Sequence, residues 1–161
     1  MKIKSSNFRP EWGVLAFCAW QSSNLVTGWR HSPFDRLEWL ALGIWLAPTL
    51  ASVGGFLAAG PAGKRGIWLA WLALAACLAG ILTDMHFLKH GALALACAAV
   101  TPPFRFDIAW LALAVAWMPA LGWIVRGVPA SGVVGMRLTL ATLAALIALA
   151  GARTSLRPTQ P

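Results

Sequence analysis

Asp84-x-His86-x3-His90 is the pattern in this chain whose residue types and spacing could do chemistry. On a helix that begins near residue 85, His86 and His90 stand one turn apart and project from the same face. Two imidazoles so placed can share one metal ion, with Asp84 or His31 as a third ligand, or one of them can ligate a haem. The same spacing also describes a polar helix end beside Lys89, which is the plainer expectation and implies no resident metal or cofactor. Arg137 is the second residue to weigh. It lies inside an apolar run, where a guanidinium facing lipid would cost about 2.5–3.5 kcal/mol. It therefore requires a carbonyl partner within the protein, a headgroup reached by snorkelling, or a functional role. Cys18, Cys77 and Cys97 also lie in apolar sequence without CxxC spacing, and read as buried thiols rather than a disulfide framework.

Other signatures of chemistry are missing from the sequence. It contains no Gly-x-Ser-x-Gly elbow, no phosphate-binding glycine loop, no His-Glu-x-x-His and no paired carboxylates in mid-run. A proton-coupled carrier usually needs such an acid.

The elements that must hold these residues are apolar and long. Runs cover 12–29, 38–59, 66–83, 86–101, 108–125 and 133–151. Beyond Glu38 at the first position of its run, the runs 38–59, 66–83, 108–125 and 133–151 contain no charge except Arg137. A helix rises about 1.5 Å per residue, so runs of this length match a hydrocarbon core of about 30 Å. The chain is 59% hydrophobic and 11% charged, against about 25% charged residues in ordinary soluble domains. These facts predict an all-α, polytopic transmembrane helical bundle with short loops, a single membrane domain over 1–161. It has six spans, or five if 12–29 lies in the interface.

Charge sets the expected orientation. With six spans, Lys2, Lys4, Arg9, Lys64, Arg65, Arg105, Arg153 and Arg157 share one side, and Arg30, Arg36, Lys89 and Arg126 the other. That excess places both termini in the cytoplasm of a bacterial inner membrane. The net charge of +8 is dispersed over loops and ends, without the basic stripe of a nucleic-acid binder. The N-terminus resembles a signal peptide in its cations and apolar run, but no A-x-A site follows and the segment is expected to be retained. Ten tryptophans and no tyrosine complete the composition. Trp12, Trp29, Trp39, Trp68, Trp110 and Trp123 lie near run ends and are expected as interfacial anchors. This topology also gathers His31, Asp35, Arg36, Glu38, Asp84, His86 and His90 at the outer face, where all but Glu38 are expected to form a polar rim, with Glu11 and Asp107 at the opposite side.

Two stretches carry a family resemblance. Trp29-Arg30-His31-Ser32-Pro33-Phe34-Asp35-Arg36, continuing to Trp39-Leu40-Ala41 and Trp45-Leu46-Ala47-Pro48, resembles the opening membrane segments of exosortase/archaeosortase-type proteins. So does His90-Gly91-Ala92-Leu93-Ala94-Leu95-Ala96 with Trp117-Met118-Pro119-Ala120-Leu121-Gly122-Trp123. Together they cover residues 29–123. The resemblance implies a polytopic membrane transpeptidase that cuts a C-terminal sorting signal at the outer face, using Cys, Arg and His in that chain order. Here Cys97 precedes Arg137, but no histidine lies beyond His90. The expected function is therefore a non-catalytic or accessory membrane subunit, acting through helix–helix contacts and the polar rim on membrane or exported partners. The alternatives are a haem- or metal-binding redox subunit using His86 and His90, and a cysteine transpeptidase using Cys97 and Arg137.

Overall fold

The computed structural model of the chain describes residues 9–32, 34, 37–58, 63–101 and 107–155, and it is all-helical over them. In chain order the helices are α1 (Pro10–Gln21), α2 (Asn24–His31), α3 (Glu38–Ala58), α4 (Lys64–Leu82) and α5 (His86–Val100). Then come α6 (Asp107–Ala112), a 3₁₀ turn (Leu113–Trp117), α7 (Ala120–Ile124) and α8 (Ala130–Ser155). Among the described residues two helices, α4 and α8, are long and apolar enough to cross a membrane. Shorter apolar helical runs cover Glu38–Ala51, His86–Val100 and Asp107–Trp117.

Two of the expected spans are not single helices, and local chemistry explains both. The run 12–29 divides at Ser22-Ser23 into α1 and α2. Short hydroxyl side chains compete with the helical ladder for hydrogen bonds, and the buried Ser22 Oγ donates to the Lys89 carbonyl on α5 at 3.1 Å. Neither piece is long: the twelve residues of α1 rise only about 18 Å. The run 108–125 breaks at Met118-Pro119. A residue before proline is pushed from the helical to the extended region, and Met118 sits there at φ −83, ψ 139. The chain restarts with Pro119 at the head of α7. Pro48, by contrast, is carried inside α3.

Helices meet through small residues. On α4, Gly66, Ala70, Ala73, Cys77 and Gly80 are buried, a seam spaced alternately four and three residues apart. Such a seam lets backbones approach closely where lipid supplies no hydrophobic drive between helices. It faces α5, which buries Ala92, Ala96 and Ala99. The approach is closest at Gly80, where an added Cβ would lie 2.9 Å from Lys89 Cγ and 3.0 Å from the Lys89 backbone nitrogen. Cys18 of α1 joins Ala73, Cys77, Ala92 and Ala96 in this cluster, and all three cysteines are free thiols.

The second cluster joins α3, α6, the 3₁₀ turn and α8, and Trp45, Trp110 and Trp117 fill it. Trp45 and Trp110 stack with centroids 4.0 Å apart and planes 7° from parallel. Each indole donates to the other's backbone carbonyl, at 2.9 Å from Trp45 and 3.1 Å from Trp110. Pro48 lacks the N–H that would serve the helix one turn back and loosens the ladder there. The Trp45 carbonyl in that turn takes the Trp110 indole. Trp110 is therefore a core residue and not the interfacial anchor expected from its position near a run end. Trp12, Trp39, Trp68 and Trp123 do stay exposed.

Candidate functional site: a buried ion pair and a histidine rim

The first part of the site is the break in 108–125. A 3₁₀ turn followed by an extended residue strands carbonyls that a continuous helix would have satisfied. Arg137 of α8 lies at this break, its Nη1 donating at 3.0 Å to the Ala116 carbonyl and at 3.0 Å to the Met118 carbonyl, which also accepts the Leu121 N–H. The same Nη1 lies 2.6 Å from Oε1 of Glu38, the first residue of α3, and both side chains are 0% exposed. Sequence left Arg137 a carbonyl partner, a headgroup reached by snorkelling or a functional role, and the structure holds it against carbonyls. The carboxylate was not among those partners. Glu38 stands about a hundred residues away at the edge of its run, so no local pattern links the two. The available signal was charge balance: a cation held deep in apolar sequence is stable only beside an anion or stripped carbonyls.

The second part is the histidine pair. His86 and His90 do share a face of α5, with ring centroids 6.4 Å apart and planes 17° from parallel. What joins them is Asn24, at the start of α2. Its Nδ2 donates to His86 Nδ1 at 2.9 Å, and His90 Nε2 donates to its Oδ1 at 3.4 Å. The amide uses both ends, fixing one tautomer on each ring. A metal shared by the two imidazoles would have to displace it. Asp84 takes a different course: it holds the left-handed conformation at φ 53 and receives Lys89 Nζ at 3.3 Å. No group of three or more His, Cys, Asp or Glu side chains capable of holding a metal forms among the described residues. The side chain of His31, with Asp35 and Arg36, lies outside the described residues.

A cleft of about 300 Å³ is lined by Ser32, Phe34, Pro119, Gly122, Trp123 and Arg126. The Arg126 guanidinium lies 4.8 Å from the Trp123 ring, a cation–π contact at the end of an apolar run. At the opposite end of the helices, Arg65 pairs with Asp107 at 2.5 Å and donates to the carbonyls of Ala98 and Thr101 at 3.3 and 3.4 Å. The start of α4, the end of α5 and the start of α6 are thus clamped together. Cys97 packs against the tryptophan cluster, and its carbonyl accepts the Thr101 hydroxyl at 2.6 Å.

Compared with protein-family models, curated proteins and solved structures, the chain matches none at a significant level.

Proposed function

We propose that this chain is a multi-pass protein of a bacterial inner membrane that acts as a non-catalytic, accessory subunit resembling the exosortase type, with six membrane passes and both termini in the cytoplasm. The observation that carries the membrane reading is an inverted distribution of polarity. Glu38 and Arg137 are sealed inside, while Trp68, Trp71 and Leu82 of α4 stand 74%, 63% and 86% exposed. Water would reverse that arrangement; lipid and neighbouring helices favour it.

The polar contacts also sort by end. Ser22, Asn24, Asp84, His86, Lys89 and His90 interact among themselves, and Arg65, Ala98, Thr101 and Asp107 do likewise. That division is the one expected of α4 and α5 running in opposite directions between two sides, and the excess of Lys and Arg supports reading the Arg65 side as the cytoplasm.

The accessory reading is supported by where the reactive candidates are held. Arg137 is bound by Glu38 and two carbonyls, so it is a fastening of α3 and α8 to the broken segment rather than a free cation for a thiolate at Cys97. His86 and His90 are tied to Asn24, which makes the rim a shaped polar surface for a partner. The test is purification of the tagged chain from its native membrane in mild detergent, with mass spectrometry and a visible spectrum of whatever stays bound. The expected result is a stoichiometric protein partner without a cofactor, lost when His86 and His90 are both replaced by Ala while membrane insertion persists. A chain carrying haem or metal that disappears in His90→Ala would replace this reading with the redox one.

A further inference from the structure

The cleft lined by Ser32, Phe34, Pro119, Gly122, Trp123 and Arg126 has chemistry that neither the ion pair nor the histidines use. Its volume of about 300 Å³ stands at the small end of ligand sites, which run from about 300 to 1,000 Å³. Its polar side chains are donors. Arg126 is exposed, and its guanidinium lies 4.8 Å from the Trp123 ring centroid. A guanidinium resting on an indole keeps the N–H groups of its edge for a ligand. Ser32 Oγ accepts the Phe34 N–H at 3.3 Å, which leaves its own hydroxyl hydrogen to donate. Among the described residues no acid lines the cleft and none pairs with Arg126. Such a site suits an anion with several acceptor oxygens.

The remaining walls choose what the anion is attached to. Phe34 and Trp123 are exposed apolar rings, and Ile124 next to Trp123 is exposed as well. Pro119 has no N–H to offer. Gly122 has no side chain, and a Cβ there would meet Phe34 Cβ at 4.0 Å, an ordinary contact. A free phosphate would leave both rings in water, whereas a phosphodiester that carries acyl chains covers them. Trp123 and Arg126 also stand at the end of an apolar run, where an indole and a cation match headgroup depth. The proposed topology makes this the outer side.

We propose that this cleft binds the head of an acidic phospholipid of the phosphatidylglycerol kind from the outer leaflet. The phosphate accepts from Arg126 and from the Ser32 hydroxyl, and the glycerol backbone lies along Phe34 and Trp123. An ethanolamine or choline head carries the same phosphate but brings an ammonium to a wall whose charged group is itself a cation. The site therefore selects for net negative charge. This inference rests on the membrane reading above.

The test is native mass spectrometry of the full chain in detergent, titrated with phosphatidylglycerol, phosphatidylethanolamine or phosphatidylcholine of matched acyl chains. One phosphatidylglycerol should bind about tenfold more tightly than either competitor, and Arg126→Gln should abolish that preference. Gly122→Leu fills the cleft while keeping its donors, and should abolish the preference too. Arg30 is exposed on α2 and lies outside the lining, so Arg30→Gln removes an equal charge and should leave the preference intact. An unchanged preference in Arg126→Gln or Gly122→Leu would overturn the proposal. So would an equal loss in Arg30→Gln, the mark of general surface charge, or full displacement by millimolar soluble glycerol phosphate, the mark of a site for a free phosphate ester. Carbonate extraction of native membranes separates the two levels. A chain released by carbonate refutes the membrane reading itself, whereas a chain retained without lipid preference refutes only this site.

Discussion

Arg137 and Glu38 show what a buried pair does when neither partner has water to fall back on. Removing one of them leaves the other uncompensated, a loss of about 3–5 kcal/mol, whereas replacing both with apolar groups of similar size is often neutral. Arg137→Met is therefore expected to be much less stable than the double variant Glu38→Leu with Arg137→Met. Unfolding in mixed detergent micelles, followed by tryptophan fluorescence, compares them directly. The double variant still lacks the donors to Ala116 and Met118, so recovery should be incomplete. A double variant as unstable as the single one would assign the stabilisation to those carbonyls rather than to the ion pair. At this scale the sequence was half legible. Arg137 was conspicuous because a charge inside an apolar run demands a partner. Glu38 was not, because at a run end a carboxylate is ordinary. Asn24 was missed for a similar reason: an isolated amide beside two serines reads as a turn, and only the fold brings it between His86 and His90.

The elements follow from short-range rules where those rules are strong. The limits of α4 and α5 agree with the apolar runs to within a few residues, because Gly63 and the Thr83-Asp84 turn interrupt an otherwise uniform helical pattern. The run 108–125 carried its own break in Met118-Pro119, and Pro48 carried the same residue type without one. Tertiary contact marks both places: one residue past Ile44, whose carbonyl loses its donor to Pro48, the Trp45 carbonyl takes the Trp110 indole, while the Ala116 and Met118 carbonyls beside Pro119 take Arg137. Spacing of small residues was informative in retrospect, since Gly66, Ala70, Ala73, Cys77 and Gly80 draw the α4 seam at coiled-coil intervals. Gly80 is the sensitive position. Even Gly80→Ala must move Lys89 on α5, and the strain is expected to cost about 1–3 kcal/mol. Gly80→Leu should separate the helices and make Cys77 reactive to a membrane-permeant maleimide. A Gly80→Leu chain that unfolds like the parent, with Cys77 still protected, would contradict this packing.

For the whole molecule, composition predicted the outward-facing apolar surface better than the details. A chain with so little charge has few options but to turn apolar residues outward, and the exposed flank of α4 follows from that. Function was far less legible, because the residues able to do chemistry are few and most are engaged in holding helices together. The proposed six-pass arrangement is the claim on which the rim and the accessory role both depend. Its most direct test is labelling of single cysteines in intact cells with an impermeant maleimide, in a chain whose three native cysteines are replaced by alanine. Ser32→Cys, Thr83→Cys and Gly127→Cys should label from outside, while Gly63→Cys should label only after the membrane is permeabilised. Labelling of Gly63→Cys and Thr83→Cys from the same side would put both ends of α4 on one face of the membrane and contradict the account.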